Sequence, residues 1–279
     1  LLELLEGVEY QLLPTDIHEV DITKIDEVTQ FVYVNRPDVI INCAGMTDVA
    51  DVKKNIDEAY RVNAIGVRNV ALAANDIDAK VIQISTDDVF DKESRIPYNE
   101  FDTVHPRTIY GKSKEAGEKI LTQLLNRFVI IRSSWIYGIG RDFVDEVLRN
   151  AAKGGTWRFQ TTSMRLRPVL LSLRGDLHFI DNEEYGLYTL SAPEVQPHEF
   201  ARTILEYTGK TGDLDLYPVV ARDDVRPTYS VLDNMMLRLT GIPEPPDWKT
   251  ALKEYLEETG GIENGPKQKR NNGKVKKKP

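Results

Sequence analysis

Short apolar runs alternate with longer amphipathic stretches along the first half of the chain. Three of these runs are nearly continuous: Val39–Cys43, Val81–Ile84 and Phe128–Ile131. Such runs are typical of strands that are buried on both faces of a parallel sheet. Helical patterns separate them, over about residues 51–75 and again from Tyr110 onward. The alternation predicts βαβ units and a doubly wound α/β fold.

The pattern is less regular at both ends of the chain. Val8–Leu13 is a candidate strand, and Asp21 is placed to cap a helix that runs to about Val34. After Gly138 the strand–helix alternation weakens. The elements predicted in that half are a strand at Gly186–Leu190 and helices at Phe143–Lys153, Pro197–Thr208, Asn234–Thr240 and Trp248–Thr259.

Composition fits a soluble globular protein, with 41% hydrophobic and 29% charged residues in 279 positions. The single cysteine, Cys43, excludes a disulfide framework and indicates a reducing, cytoplasmic environment. Because Cys43 lies inside the apolar run Val39–Cys43, we expect it to be a buried small residue. No apolar run reaches about 18 residues, so we expect no membrane span.

The net charge of −8 argues against a nucleic-acid-binding body. Positive charge is concentrated at the end, where residues 264–279 carry seven basic side chains and no acidic one. We expect this tail to be disordered. Two interpretations are open: a weak contact with RNA or an acidic partner, and a solvated tail with no partner.

The strongest chemical signal is the pair formed by Tyr110 and Lys114. Residues four apart on a helix share one face, and an ammonium beside a phenol is expected to lower the pKa of the phenol towards the working pH. Thr86 ends the preceding buried strand, and open α/β sheets place their ligands at such strand ends. A Tyr-x-x-x-Lys match alone is weak, because an ordinary surface helix produces it often.

The surrounding motifs make the match specific. Ser85-Thr86-Asp87 comes 24 residues before the tyrosine, counted from Thr86 to Tyr110, and the segment Arg132–Gly138 follows the helix. This combination resembles the extended short-chain dehydrogenase/reductase family, and within it the dTDP-4-dehydrorhamnose reductases. The resemblance implies a Rossmann-type sheet with a smaller α+β substrate-binding lobe. It also implies NADPH or NADH as cofactor and a nucleotide-linked 4-keto sugar, dTDP-4-dehydro-L-rhamnose, as the substrate that is reduced to dTDP-L-rhamnose.

The resemblance also assigns roles to individual residues. Tyr110 is the implied proton donor, Lys114 its partner and a ribose ligand, and Thr86 a ligand of the substrate oxygen. The implied cofactor-binding residues are Asp21, Ile22, Asn42, Ala44, Gly45, Thr47, Asn63, Tyr110 and Lys114. The implied substrate-binding residues are Thr86, Asp87, Trp135 and Arg226. No metal site is implied. Plainer interpretations remain open: Asp21 as a helix cap, Asn63 as a helix-to-backbone contact, Trp135 as core and Arg226 as a surface charge.

The chain departs from the family pattern at several positions. The Gly-x-x-Gly-x-x-Gly loop has no counterpart, so we expect the chain to begin inside the helix that follows it. Asp88 replaces a tyrosine, Lys92 replaces a glycine, and only Pro168 remains of a Gln-x-Gly-x-Pro-Thr stretch. These departures keep a second class open, a non-catalytic nucleotide-binding subunit that resembles the regulatory β subunit of methionine adenosyltransferase.

The resemblance also suggests how the chain is divided. We expect a dinucleotide-binding domain over residues 1–137 that lacks its first strand. Residues 138–262 are expected to form mainly the substrate-binding lobe, with segments near 160–190 returning to the first domain. The basic tail then covers residues 263–279. A homodimer is compatible with this arrangement.

Overall fold

A computed structural model describes most of the chain. It covers residues 10–91, 93–134, 136–138, 142–161, 169–170, 177–192, 195–212, 215–220 and 231–259. Trp135, Arg226, Lys92 and the basic tail lie outside these ranges. The helices are α1 Ile25–Asn35, α2 Val49–Lys54, α3 Ile56–Tyr60, α4 Val67–Ile77, α5 Ile109–Leu124, α6 Phe143–Lys153, α7 Leu177–Asp181, α8 Pro197–Tyr207, α9 Met235–Thr240 and α10 Trp248–Glu258. The strands are β1 Val39–Asn42, β2 Lys80–Thr86, β3 Phe128–Ser133, β4 Ile136–Tyr137, β5 Thr156–Thr161, β6 Val169–Leu170, β7 Gly186–Leu190 and β8 Asp215–Val220.

The main sheet has the strand order β1-β2-β3-β7, and all neighbouring strands are parallel. Its first three strands are the three apolar runs of the sequence. The register pairs Thr86 with Ser133 at the carboxyl ends of β2 and β3. The predicted α/β class with a parallel sheet is therefore confirmed.

Apolar side chains cover the sheet on both faces. Val81 and Ile130 belong to a core cluster with helices α1, α4 and α5. Their neighbours Ile82, Val129 and Ile131 belong to a second cluster, which continues into α6, α8 and α10. Alternate residues of a strand point to opposite faces, so the same strands serve both clusters. This second core is continuous from the sheet into the latter half of the chain.

Two small parallel sheets lie in that half. One pairs β4 with β6, and the other pairs β5 with β8. The strand at Gly186–Leu190, in contrast, joins the main sheet beside β3. No helix in the described ranges is both long and apolar enough to cross a membrane.

Close packing fixes α5 against its neighbours through two glycines. A Cβ atom on Gly117 would lie 2.2 Å from the carbonyl oxygen of Asn63. A Cβ atom on Gly111 would lie 2.1 Å from the carbonyl oxygen of Asp88. Both contacts are with backbone, which cannot move aside as a flexible side chain can. The two glycines therefore permit the approach that brings α5 to the end of β2.

Two sequence predictions about local structure are wrong. The helix expected over residues 51–75 is interrupted at Asn55 and contains a π-helical turn, Arg61–Gly66, between α3 and α4. The candidate strand Val8–Leu13 does not form in its described part, residues 10–13. A strand needs a neighbour to complete its hydrogen bonds, and none of the described strands pairs with that segment.

Candidate active site

Three of the predicted site residues meet at the carboxyl end of β2. Thr86 is the last residue of β2, and Tyr110 and Lys114 lie on the first turns of α5. The N-cap of this helix is Thr108, whose side chain accepts a hydrogen bond from the Gly111 amide at 2.9 Å. The Thr86 hydroxyl lies near enough to the Tyr110 phenol to influence its pKa. The structure thus places a phenol, an aliphatic hydroxyl and an amine at the carboxyl end of β2, where Lys114 Nζ reaches the Ile84 carbonyl.

The electrostatic environment of Tyr110 differs from the sequence prediction. Burial raises the pKa of Tyr110 to about 12, and the carboxylates of Asp88 and Asp87 act in the same direction. The neighbouring Thr86 hydroxyl lowers the pKa of the phenol but does not offset these effects. The expectation that Lys114 brings the pKa of Tyr110 down to the working pH is therefore wrong, because desolvation of the phenol dominates.

Lys114 is itself the group with a pKa near the working range. Burial lowers the pKa of its ammonium to about 8, whereas the negative charge of Glu118 acts in the opposite direction. Its Nζ donates a hydrogen bond to the carbonyl oxygen of Ile84 at 2.7 Å. An ammonium has three donors, so two remain for a ligand hydroxyl or for the phenol oxygen.

The turn from Asn42 to Thr47 follows β1, and hydrogen bonds from Asn63 of the π-helical turn fix its backbone. The Asn63 side chain accepts a hydrogen bond from the Met46 amide at 2.8 Å and donates one to the Met46 carbonyl at 3.0 Å. It also donates to the Ser113 hydroxyl of α5 at 2.9 Å. One asparagine therefore connects this turn to the helix that carries Tyr110 and Lys114. A π-helical turn often marks a functional site.

Two predicted cofactor ligands, Asn63 and Asn42, form hydrogen bonds that support the turn after β1. Asn63 is only 1% exposed, and its amide groups are used by Met46 and Ser113. Asn42 is 5% exposed and bonds the Gln83 side chain and the Ala44 amide. Both amides have hydrogen-bond partners within the protein, and direct contact of Asn42 and Asn63 with the cofactor stays a prediction. They shape the turn, whereas Ala44, Gly45 and Thr47 are exposed on it.

Cys43 is also exposed on this turn, and the prediction that it is buried is wrong. Strand β1 ends at Asn42, so the cysteine lies one residue beyond the sheet instead of within it. Its thiol is near enough to Lys114 to influence the pKa of the ammonium.

Asp21 and Ile22 lie in the turn that precedes α1. Asp21 does not cap that helix: its carboxylate accepts from the amide and the hydroxyl of Thr23, which hold the pKa of the acid below its usual value. The Ile22 carbonyl accepts from the Asn69 side chain at 2.9 Å. The Ile22 side chain also packs on Gly66, where a Cβ atom would lie 2.5 Å from its Cδ1. These contacts fix the turn on α4 and the π-helical turn.

The predicted substrate ligands are only partly within the described residues. Asp87 is 7% exposed and accepts a hydrogen bond from the Thr86 hydroxyl at 3.3 Å. Its carboxylate therefore lies beside the Thr86 hydroxyl. Trp135 and Arg226 lie outside the described residues, and their roles stay predictions.

Sequence reasoning missed a set of supporting residues around α5. Ser113 connects Asn63 to the Tyr110 carbonyl, to which it donates at 2.8 Å. Glu118 forms a buried ion pair with Arg132 of β3. A signal was present, because an arginine between apolar strand residues requires a buried partner.

A parallel, doubly wound sheet with a strand-end hydroxyl, a tyrosine and a lysine four residues later defines a dehydrogenase of the short-chain type. A family model described as the RmlD substrate binding domain matches residues 1–260. The chain belongs to this family, and the predicted resemblance is confirmed.

Relatives at about one-third identity support the assignment. The dTDP-4-dehydrorhamnose reductase of Aggregatibacter actinomycetemcomitans is 32% identical over 274 residues, which are 90% of this chain and 91% of the relative. The crystal structure of a dTDP-4-dehydrorhamnose reductase from Clostridium acetobutylicum superposes with a TM-score of 0.87 at 34% identity, covering 93% of this chain and 94% of that one. The Bacillus anthracis enzyme in complex with NADP gives a TM-score of 0.86 at 35% identity, covering 92% and 94%.

Proposed function

We propose that the protein reduces a dTDP-linked 4-keto sugar with NADPH or NADH, with dTDP-4-dehydro-L-rhamnose as the preferred substrate. The observation that carries this proposal is the meeting of Thr86, Tyr110 and Lys114 at the end of β2. Relatives named dTDP-4-dehydrorhamnose reductase, at about 30% identity over most of their length, give the reaction class. The homologous NADP complex supports the cofactor.

The three residues divide the work of proton transfer. Bound NAD(P)H supplies a hydride for the keto carbon. Tyr110, with a pKa of about 12, is protonated at neutral pH. Its phenol can therefore donate a proton to the oxygen on which negative charge develops, because an alkoxide is far more basic than a phenolate. Thr86 orients the same oxygen, and the Lys114 ammonium stabilises the phenolate that remains.

The turn after β1 fits a dinucleotide. A Cβ atom on Gly45 would lie 3.3 Å from the Asn63 amide oxygen and 3.8 Å from Lys114 Nζ, so a side chain here would crowd the Asn63 amide and cover part of this surface. The backbone of Ala44 and Gly45 is exposed next to the buried ammonium. We assign the nicotinamide ribose to Lys114 and the turn, and the adenine end to Asp21 and Ile22. We assign the nucleotide sugar to the part of the chain after Gly138, together with Trp135, which lies just before it, and with Arg226.

A direct assay tests the proposal. The purified chain is mixed with NADPH and dTDP-4-dehydro-L-rhamnose, and the fall in absorbance at the wavelength of NADPH is followed together with the sugar product. Turnover of this sugar above that of a UDP-linked 4-keto sugar supports the assignment. Nucleotide binding with no turnover on either sugar would instead favour a non-catalytic regulatory subunit.

NADPH is expected to protect Cys43 from thiol reagents. Because Cys43 is the one cysteine and lies exposed on the turn that faces the cofactor, a maleimide should label only this site. Saturating NADPH should slow labelling by about tenfold, since the nucleotide covers the turn. Saturation is established separately by fluorescence titration.

A displaced cysteine provides the control for this experiment. In Cys43→Ser/Asp76→Cys the thiol is on the exposed surface of α4, and NADPH should leave its labelling rate unchanged. Undiminished labelling of Cys43 at saturating NADPH would contradict the placement of the cofactor on this turn.

Asp88 is expected to weaken the binding of the anionic substrate. Its carboxylate is close enough to raise the pKa of Tyr110, so the proposed site places it near the bound nucleotide sugar. Asp88→Asn should tighten dTDP-sugar binding about three- to tenfold, the effect of removing one charge at intermediate dielectric. Asp88→Tyr, which restores the ring of the family motif, should bind more tightly still.

Calorimetry with dTDP-sugar measures both variants. Asp76→Asn on the exposed surface of α4 changes the net charge equally and should not alter the affinity. Equal or weaker binding by both Asp88 variants would show that the aspartate is not near the substrate.

A further inference from the structure

A buried ion pair lies one helical turn beyond Lys114. Arg132 Nε contacts the two carboxylate oxygens of Glu118 at 3.2 and 3.3 Å, and Arg132 Nη2 contacts Oε2 at 2.8 Å. Both side chains are 6% exposed. The proton-transfer chemistry described above uses neither of them.

The carboxylate of Glu118 also bonds the strand that carries the reacting hydroxyl. Ser85 Oγ donates a hydrogen bond to Glu118 Oε1 at 2.5 Å. Ser85 is the residue before Thr86, whereas Glu118 follows Lys114 by four positions and Tyr110 by eight. Residues at this spacing share one helix face. The carboxylate therefore joins the end of β2 to the face of α5 that carries the proton donor.

Stability alone gives a poor explanation of this arrangement. Apolar residues in place of a buried ion pair are often as stable or more so. Here one guanidinium nitrogen, Arg132 Nη1, is buried with no hydrogen-bond partner, a further cost. The guanidinium also lies 5.1 Å from the ring centre of Phe90, within the range of a cation–π contact.

We propose that Glu118, held by Arg132 and Ser85, is a positioning residue that acts through Lys114 and Thr86. Its charge keeps Lys114 an ammonium in a buried site, and its bond to Ser85 fixes the strand end opposite Tyr110. The proposal rests on the function proposed above, because Lys114 and Thr86 are the groups through which Glu118 acts.

The charges around Lys114 agree with this role. From its own helix, Glu118 raises the pKa of the ammonium against the effect of burial. From the turn after β1, the Cys43 thiol acts in the same direction, but less strongly. From the segment after β2, Asp87 and Asp88 act on Tyr110. Glu118 is thus the largest influence that keeps the ammonium charged.

Two variants separate the effect of the Glu118 charge on Lys114 from the effect of its hydrogen bond to Ser85. Glu118→Leu/Arg132→Met removes both charges together and leaves no unpaired buried ion. Ser85→Ala removes only the bond to the strand. Thr189→Val is the control, because Thr189 is a fully buried hydroxyl on the same sheet that bonds Glu100 and the Asp233 carbonyl instead of α5.

The titration of Lys114 is read by ¹³C NMR of the lysine Cε, with Lys114→Met to assign the signal. In the double variant its midpoint should fall by about one unit or more, and kcat should fall about tenfold or more with KM changed less than threefold. In Ser85→Ala kcat should fall several-fold, while the midpoint of the Lys114 titration stays unchanged. Ser85→Thr should restore kcat. Thr189→Val should match the parent chain in both kcat and the Lys114 midpoint.

An unchanged Lys114 midpoint in the double variant, with kcat of Ser85→Ala equal to that of the parent chain, would overturn the proposal and leave a structural ion pair. If the double variant does not fold, the Ser85→Ala and Ser85→Thr pair decides. Should the parent chain fail to turn over the sugar, the proposed function fails, while the NMR titration still tests the influence of Glu118 on Lys114.

Discussion

Tyr110→Phe is expected to lower kcat by about 10²- to 10⁴-fold and to leave the fold intact. The variant removes the phenol proton that the proposed mechanism delivers to the substrate oxygen, but it keeps the ring beside Thr86. The Thr86 hydroxyl retains two other contacts, with the Asp88 amide at 3.2 Å and the Asp87 carboxylate at 3.3 Å. The loss should therefore appear in kcat and hardly in the melting temperature.

Steady-state kinetics on the dTDP-4-keto sugar, with circular dichroism of both proteins, checks this expectation. Tyr60→Phe provides the control, since Tyr60 is an exposed tyrosine at the end of α3. It should retain full activity. Unchanged turnover of Tyr110→Phe would remove the tyrosine from the proton-donor role and leave Thr86 or water as the donor.

The parallel sheet could be predicted because its evidence is local. The runs at Val39, Val81 and Phe128 are apolar on both faces, and a helical pattern separates each from the next. Such segments have few alternatives to a buried parallel strand. The same holds for the Tyr110 helix, where the four-residue spacing directly gives a shared face.

The ionisation of the site could not be predicted in the same way. The sequence shows that Tyr110 and Lys114 are close, and closeness alone suggests a lowered pKa for the phenol. The actual direction depends on how much water is excluded from both groups, and tertiary packing determines that. Burial raises the pKa of Tyr110 and lowers that of Lys114, so the pair does not behave as it would in water.

The π-helical turn was missed for a related reason. The sequence pattern from residue 51 to residue 75 is helical throughout, and periodicity does not distinguish a widened turn from a regular one. Asn63 forms hydrogen bonds with Met46 and Ser113, which lie 17 and 50 residues away in the chain. Only the folded structure brings those partners together.

Lys114→Met is expected to abolish most activity and to stabilise the protein at pH 7. The ammonium is 7% exposed, and its pKa in the folded chain is about 8 compared with 10.5 for the free group. A folded-state pKa below the unfolded one means that the unfolded chain binds the proton more tightly. The difference of about 2.5 units corresponds to about 3 kcal/mol, an upper limit for the stability gained by removing the charge.

The pH dependence of this gain follows from the same two values. It should be fully present below about pH 8, decrease between about pH 8 and 10.5, and vanish above, where the lysine is neutral in both states. Chemical denaturation of the parent chain and Lys114→Met at pH 7, 9 and 10.5 measures it. Lys112→Met, at an exposed position on the same helix, should change neither stability nor activity.

Removal of the ammonium leaves no new unpaired group, which is why a gain is expected at all. The Ile84 carbonyl that accepts from Lys114 at 2.7 Å also accepts from the Gln83 side chain at 2.8 Å. Methionine has nearly the length of lysine and fills the same space. Activity should fall because the phenolate of Tyr110 and the nicotinamide ribose lose their cation. A Lys114→Met protein that is less stable at pH 7 would show that the ammonium is better solvated than its burial implies, and that its pKa lies nearer to 10.5 than to 8.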